Sequence, residues 1–218
     1  MRQFDYAIFD LDGTLLDTRE GVVTALVRVM KEERLPVPSQ DELERLIGPP
    51  VQCSFKKLFS LSDETAMEMS DVFRDYYKTD EFLLRAEPYE GIYKLFEDLT
   101  SAGVKVGIAT YKREDYAKKL LFAKKFNEYT GFMYGADFEG RLKKKDIIKK
   151  CLKDMGCENY AKAVYIGDSE SDGEGAVALG MNFIALTYGF GFKAREDAQK
   201  FNPIGIAGSC NEVRDLIL

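Results

Sequence analysis

Histidine is absent from this sequence of 218 residues, and its absence narrows the chemistry that the chain can perform. A chain without histidine cannot build Ser-His-Asp or Cys-His hydrolase sites, the common zinc enzymes or a phosphohistidine. Any catalysis must therefore use carboxylates, amines, guanidinium groups, hydroxyls or thiols. A metal ion that takes part is expected to be a hard cation with oxygen ligands.

Cysteine is scarce as well. The four cysteines are scattered without the C-x-x-C spacing of zinc or redox sites: Cys53, Cys151, Cys157 and Cys210. We interpret them as reduced thiols that are buried or half-buried, and not as zinc ligands or a disulfide framework.

Long apolar runs are absent, and neither sign of charge dominates strongly. No run approaches the ~20 residues of a membrane span, and Met1 leads almost directly into an apolar segment without a basic leader, which predicts a cytoplasmic protein. With 31 basic and 37 acidic residues the net charge is −6, which argues against a dedicated binder of nucleic acid or anionic membrane. We expect no partner of either kind, and a monomer or weak homodimer.

Short apolar runs alternate with segments of helical periodicity over most of the chain. The runs predict buried parallel strands at residues 6–9, 104–109, 163–166, 183–186 and 204–207. Helices are predicted at 90–102, 113–126, 145–155 and 174–179, and glycines follow three of them as left-handed caps: Gly103, Gly156 and Gly180. This alternation is typical of an α/β fold with a doubly wound parallel sheet.

The alternation is interrupted once, after the first strand. From about Thr18 to Glu87 the sequence shows amphipathic helical stripes and no strand pattern. We interpret residues 18–85 as an all-helical cap inserted into an α/β core formed by residues 1–17 and 86–218. The hinges are predicted near Asp17 and near Glu87 and Pro88.

Reactive side chains follow three of the predicted strands. Asp10 and Asp12 come after the first strand, Thr110 ends the second, and Asp168 and Asp172 follow the strand at 163–166. In a doubly wound fold these strand ends meet at one edge of the sheet. Four carboxylates cannot crowd together without a cation, so the sequence predicts an oxygen-ligated Mg²⁺ there.

Three consecutive lysines, Lys143, Lys144 and Lys145, stand at the expected start of a helix. Lysines at a helix N-terminus oppose the macrodipole, so local stability does not explain them. A bound anion would explain them, and so would a solvated basic face. For Lys143 and Lys145 we favour the solvated face.

Together these segments resemble the haloacid dehalogenase superfamily over nearly the whole chain. The segments that carry the resemblance are Asp10-Leu11-Asp12-Gly13-Thr14, Thr110 at a strand end, a lysine near a helix start, and Gly167-Asp168 through Asp172. Arg141 aligns with an Arg-x-x-Lys pattern, which makes Lys144 the lysine of the motif. The sequence departs from the pattern at Tyr111, where many relatives have a small polar residue.

A second set of segments resembles the subgroup that contains phosphoglycolate phosphatases. The helical insert is similar to the cap of that subgroup, as are Ile47-Gly48-Pro49-Pro50 and Tyr188-Gly189-Phe190-Gly191. The segment Gly48-Pro49-Pro50 is interpreted either as the cap loop that reaches the leaving group or as a plain turn between helices.

The resemblance implies a Rossmann-like core and a Mg²⁺-dependent phosphatase that hydrolyses a small phosphomonoester through an aspartyl-phosphate. The candidate substrates are phosphoglycolate, nucleotides and sugar phosphates. The implied roles are nucleophile for Asp10, general acid and base for Asp12, metal ligands for Asp10, Asp168 and the Asp12 backbone carbonyl, and phosphate binding for Thr110, Lys144 and the helix start after Thr110. Asp172 is expected to orient Lys144 or a metal-bound water.

Two other functions are compatible with the same motifs. A sugar phosphomutase shares core and cap, but it usually needs dedicated basic cap residues, and here the cap has only scattered lysines and arginines. A non-catalytic phospho-acceptor also uses a strand-end aspartate, but it lacks a helical cap and an aspartate two residues later. Phosphatase is therefore favoured.

Overall fold

The computed structural model describes residues 3–44, 46–47 and 50–218. The strands are β1 (Tyr6–Phe9), β2 (Leu16–Asp17), β3 (Glu87–Pro88), β4 (Lys105–Arg113), β5 (Met133–Ala136), β6 (Ala163–Gly167), β7 (Asn182–Leu186) and β8 (Gly205–Ala207). The helices are α1 (Arg19–Glu32), α2 (Gln40–Glu44), α3 (Val51–Phe59), α4 (Asp63–Tyr77), α5 (Asp80–Leu83), α6 (Ile92–Ser101), α7 (Glu114–Ala123), α8 (Lys144–Asp154), α9 (Glu170–Ala178), α10 (Arg195–Gln199) and α11 (Cys210–Ile217). None of these helices is long and apolar enough to span a bilayer.

Six strands form one parallel sheet in the order β5-β4-β1-β6-β7-β8. The central strand β1 lies between β4 and β6, so that Phe9 is in register with Ile108 on one side and Ile166 on the other. A strand in this position is covered on both faces, which is why its sequence is continuously apolar. The predicted parallel α/β sheet is confirmed.

Helices cover both faces of the sheet. Phe9 and its neighbours on one face pack with α6, α7 and α11, whereas Ile8 and Tyr165 on the other face pack with α8, α9 and α10. Side chains alternate along a strand, so consecutive residues of β1 serve two separate apolar clusters. The doubly wound arrangement predicted from the sequence is confirmed.

The structure contains elements that the sequence did not predict, α10, α11, β2 and β3 among them, and it differs from the prediction near the site as well. β5 was not predicted, because its burial alternates and Gly135 interrupts an otherwise apolar run. β4 continues beyond Thr110 to Arg113, and α7 begins only at Glu114. The strand is therefore longer than predicted, whereas α7 begins one residue after the predicted helix start at 113. Phosphate binding by this helix start stays a prediction. α9 also begins at Glu170, earlier than predicted.

Between β2 and β3 the described residues form helices α1–α5 and no strand; we call this segment the helical insert. β2 and β3 pair antiparallel, with Asp17 opposite Glu87, so the chain leaves and re-enters the core at adjacent points. α1 packs against α4 and α5. The division of the chain into a core and a cap domain stays a prediction. Gly48 and Pro49 of the predicted cap loop lie outside the described residues, and Pro50 immediately precedes α3.

The cysteines and the predicted helix caps are mostly as expected. All four cysteines are free thiols, and three are buried, whereas Cys53 is exposed. The three cap glycines have the positive φ of the left-handed region: Gly103 at 78°, Gly156 at 76° and Gly180 at 62°.

Candidate active site

The ends of three neighbouring strands bring the predicted site residues together. Asp10 directly follows β1, Thr110 lies in β4 and Asp168 directly follows β6, and the three are 5%, 1% and 2% exposed. Carboxylate oxygens of Asp10, Asp168 and Asp172 lie within 4.8 Å of one another. The sheet order produces this cluster, because β1 has β4 and β6 as its two neighbours.

Two glycines let the backbone approach the carboxylate of Asp168. Gly13 has a φ of 82°, which favours glycine, and a Cβ at this position would overlap the Asp168 side chain. A Cβ on Gly189 would meet the same carboxylate. The glycines of both segments therefore serve the geometry of the site and not only the turns that contain them.

Backbone amides fix the orientation of Asp168. The N–H groups of Phe190 and Gly191 donate to its Oδ2 at 2.7 and 3.1 Å, and the hydroxyl of Thr14 lies 3.4 Å from its Oδ1. Burial, followed by the charges of Asp172 and Asp10, raises the pKa of Asp168 to about 8. The carboxylate is held in place, but its charge is poorly compensated by the protein.

Lys144 supplies the positive charge inside the cluster. Its Nζ lies 2.6 Å from Asp10 and 2.8 Å from Asp172, and the side chain is 4% exposed. Burial opposes its charge, but the two carboxylates outweigh that effect and raise the pKa of Lys144 above its usual range. Lys143 and Lys145 are exposed, as the solvated-face interpretation predicts.

Asp172 is already occupied by hydrogen bonds. Its Oδ2 accepts from the Ser169 N–H at 3.0 Å and from the Ser169 hydroxyl at 2.6 Å, while its Oδ1 contacts Lys144. It also lies in the first turn of α9, where a carboxylate is favoured. These contacts suit a residue that positions Lys144 and the loop after β6.

Asp10 accepts fewer of the described hydrogen bonds than Asp172 does. Burial raises its pKa to about 7, against the opposing effect of Lys144, and the charge of Asp172 adds to the rise. Three carboxylates and one ammonium group leave an excess of negative charge in a buried volume. The donors are all oxygen atoms, with neither imidazole nor thiolate among the described residues of the cluster, so the site fits a hard divalent cation.

The carboxylate of Asp12 turns away from this cluster and pairs with Lys112. The Lys112 Nζ lies 2.9 and 3.2 Å from its two oxygens, and the lysine side chain is 6% exposed. The ring of Tyr77 from α4 lies 4.7 Å from the same Nζ. Because this carboxylate is paired with Lys112, the oxygen that Asp12 leaves for a metal is its backbone carbonyl, the ligand that the resemblance implies.

Lys112 was not predicted from the sequence. Alternation from Thr110 does not supply a signal for it, because the register of β4 shifts between Ala109 and Arg113. Burial disfavours the charged form of Lys112. The charge of Asp12 and the contact with Tyr77 outweigh this effect and raise the pKa of Lys112 above its usual range.

Two adjoining cavities meet at Asp12. A small one of about 10 Å³, room on the order of one water or ion, is bordered by Asp10, Thr110, Lys144 and Asp168. A larger one of about 510 Å³ lies between the helical insert and the core. Asp12, Ile47 and Tyr111 border both. Pro50, from the segment predicted to reach the leaving group, borders the larger cavity.

Comparison with known proteins identifies the family of the chain. The haloacid dehalogenase-like hydrolase family matches residues 7–186. A phosphoglycolate phosphatase from Aquifex aeolicus is 30% identical over 184 residues, which cover 84% of this chain and 84% of that protein. The tyrosine-protein kinase PtkA from Mycobacterium tuberculosis is 28% identical over 211 residues, which cover 96% of this chain and 71% of that protein.

A solved structure supports the same assignment. The crystal structure of a predicted phosphatase from Clostridium acetobutylicum has a TM-score of 0.90 and 30% identity, with 97% of each chain covered. The chain therefore belongs to the haloacid dehalogenase-like hydrolase family, as a phosphoric monoester hydrolase.

Proposed function

We propose that this protein is a Mg²⁺-dependent phosphatase that hydrolyses a small phosphomonoester through an aspartyl-phosphate on Asp10. The observation that carries the proposal is the buried all-oxygen cluster at the strand ends, in which Asp10 and Asp168 face each other beside Lys144. The burial of Asp10 and its raised pKa support this role, because carboxylates with perturbed pKa values cluster at functional sites.

The metal would be held by the side chains of Asp10 and Asp168 and the backbone carbonyl of Asp12. When bound, it neutralises the charge of a phosphate dianion that approaches a carboxylate. Lys144 and Thr110, which border the same small cavity, would bind phosphoryl oxygens. Together these groups remove the repulsion that otherwise keeps two anions apart.

Asp10 attacks phosphorus with a carboxylate oxygen, and the bond to the leaving oxygen breaks as the new P–O bond forms. Asp12 borders both cavities, at the position where a leaving oxygen passes from one to the other. In its protonated form it donates a proton to that oxygen. It then accepts a proton from the water that hydrolyses the aspartyl-phosphate.

Thr110 and Asp172 support these steps from opposite sides. Thr110 is almost completely buried, and its hydroxyl accepts from the backbone N–H of Lys112 at 3.2 Å, which keeps its proton available for a phosphoryl oxygen. Asp172 holds Lys144 at 2.8 Å and so keeps its ammonium group in place after Asp10 has been phosphorylated.

Replacement of the nucleophile tests the proposal. Asp10→Asn should lower kcat for a phosphomonoester by roughly 10⁴-fold or more, because the amide cannot form the covalent intermediate. Its Tm should not fall, since the substitution removes one of three crowded like charges. Asp215→Asn, which changes an exposed acid, serves as the matched control. Near-normal turnover by Asp10→Asn would refute the mechanism, as would full activity of the wild type in excess chelator.

A further inference from the structure

The larger cavity is continuous with the carboxylate site and much larger than the smallest candidate substrate needs. Its volume of about 510 Å³ lies in the range of cavities that enclose ring-containing ligands. Tyr111, Ile47 and Asp12 belong to both cavities, so a group bonded to the phosphate at Asp10 extends directly into the larger one. A two-carbon glycolate group would leave most of this space unfilled.

Aromatic side chains form much of the wall. Tyr111 borders the small cavity as well as the larger one. Tyr77 and Tyr116 line the wall by their edges, because Lys112 and Arg113 already lie 4.7 and 3.9 Å from their ring centroids. Phe138 also borders the cavity and is 69% exposed. Arg113 lies 4.4 Å from the centroid of its ring, which leaves the opposite face accessible to a ligand. Aromatic faces stack favourably on planar rings.

The charges around the cavity are compensated within the protein. Three arginines on its wall each have an acidic partner: Arg74 with Asp71 at 2.7 Å, Arg113 with Asp115 at 2.7 Å and Arg141 with Glu139 at 3.4 Å. Lys143 is the one lining cation to which the described residues offer no acidic partner, and it is exposed, where solvent and salt screen it. A second anionic group on the substrate would therefore find no buried cation free to pair with it.

We propose that the larger cavity binds a leaving group that contains a planar ring and carries no second charged group, such as a nucleoside or an aryl alcohol. This inference rests on the proposed phosphatase function and narrows its substrate class. Tyr111 is the specificity-determining residue, because it is the aromatic side chain that borders both cavities.

A matched series of phosphate esters tests the proposal on the wild-type enzyme with Mg²⁺. Benzyl phosphate and cyclohexylmethyl phosphate differ in the planarity of the ring, and 4-carboxybenzyl phosphate adds a second charge to benzyl phosphate. We expect kcat/KM for benzyl phosphate to exceed that of the other two, and that of phosphoglycolate, by about tenfold or more. A nucleoside 5′-monophosphate in the same series distinguishes a nucleoside from a simple aryl group.

Two substitutions of Tyr111 link the preference to the residue. Tyr111→Phe keeps the ring and should preserve the ratio of kcat/KM between benzyl and cyclohexylmethyl phosphate. Tyr111→Ser should bring that ratio close to one. If Tyr111→Ser fails to fold, as judged by thermal unfolding, the wild-type series decides alone.

Three outcomes would overturn the inference. Phosphoglycolate or 4-carboxybenzyl phosphate could be hydrolysed as well as benzyl phosphate, which would leave the phosphatase function intact but refute the substrate class. The benzyl preference could persist in a folded Tyr111→Ser variant, which would refute the role of this ring. Failure of the wild type to hydrolyse any ester in the presence of Mg²⁺ would overturn both this inference and the proposed function.

Discussion

At the scale of single residues, the ion pair with Lys112 sets the orientation of the Asp12 side chain, which is the proposed general acid and base. The two side chains are 100 positions apart in sequence and both are nearly buried. The pair orients Asp12 toward the boundary of the two cavities, and the ring of Tyr77 closes over Lys112 from the helical insert. We therefore expect Lys112 to be a positioning residue, which acts on the substrate through Asp12.

Lys112→Met tests this role through the leaving group. Poor leaving groups depend on protonation by Asp12, so the variant should lower kcat/KM, which reports the release of the leaving group, by about tenfold or more for an alkyl phosphate. For 4-nitrophenyl phosphate, whose leaving oxygen needs little protonation, the loss should be much smaller. Values of kcat/KM with both esters, in this variant and in Lys145→Met as an exposed control outside both cavities, measure the difference. Equal losses with both esters would show that Lys112 does not act by positioning Asp12.

At the scale of elements, a glycine sets the distance between α1 and α5. Gly21 lies in α1, and a Cβ at this position would overlap the carbonyl oxygen of Phe82 in α5. The close approach lets the first and last helices of the insert pack beside the paired strands β2 and β3. A backbone oxygen cannot move aside as a flexible side chain can, so α1 itself would have to shift.

Gly21→Ala should destabilise the protein although alanine favours helices. The gain in helix propensity is about 1 kcal/mol, whereas displacement of a packed helix costs typically about 1–3 kcal/mol. We expect the loss to dominate and the Tm to fall by several degrees. Gly131→Ala, where a Cβ meets nothing within 4 Å, is the control and should leave Tm nearly unchanged. A Gly21→Ala variant as stable as the control would show that α1 has room to adjust.

At the scale of the whole molecule, the carboxylate cluster links stability to pH and to metal. Burial raises the pKa of Asp10 to about 7 and that of Asp168 to about 8 from an ordinary value of 3.8. Between about pH 4 and pH 8 the folded protein therefore binds more protons at these sites than the unfolded chain does. The free energy of unfolding consequently falls as pH rises through this window.

We predict that metal-free protein, prepared with chelator, becomes less stable between pH 5 and pH 8. Above pH 8 these groups contribute no further change. Mg²⁺ should raise Tm more at pH 8 than at pH 5, because a metal binds the deprotonated carboxylates. Thermal unfolding across this range measures both the pH dependence of stability and the increase in Tm with Mg²⁺. Asp168→Asn is the control and should show a weaker pH dependence and a smaller Mg²⁺ effect. Metal-free stability that rises from pH 5 to pH 8 would contradict the assignment.

The local sequence was sufficient for the central strands and for the residues that follow them. The apolar runs in β1, β6 and β7 are continuous because both faces of the sheet are covered. Such runs can be recognised in the sequence without knowing which strands pair with them. Asp10 and Asp168 could be placed at one edge because the carboxyl ends of parallel strands share that edge. The family resemblance then singled out Lys144 among three adjacent lysines.

Other features depend on contacts between distant parts of the chain, which only the tertiary structure decides. β5 is an edge strand with alternating burial, and its identity depends on pairing with β4. The burial of Lys112 depends on Asp12 from one segment and Tyr77 from another. The aromatic cavity likewise exists only where the helical insert meets the core. No local pattern encodes such contacts, because the free energy that selects them comes from surfaces brought together by folding.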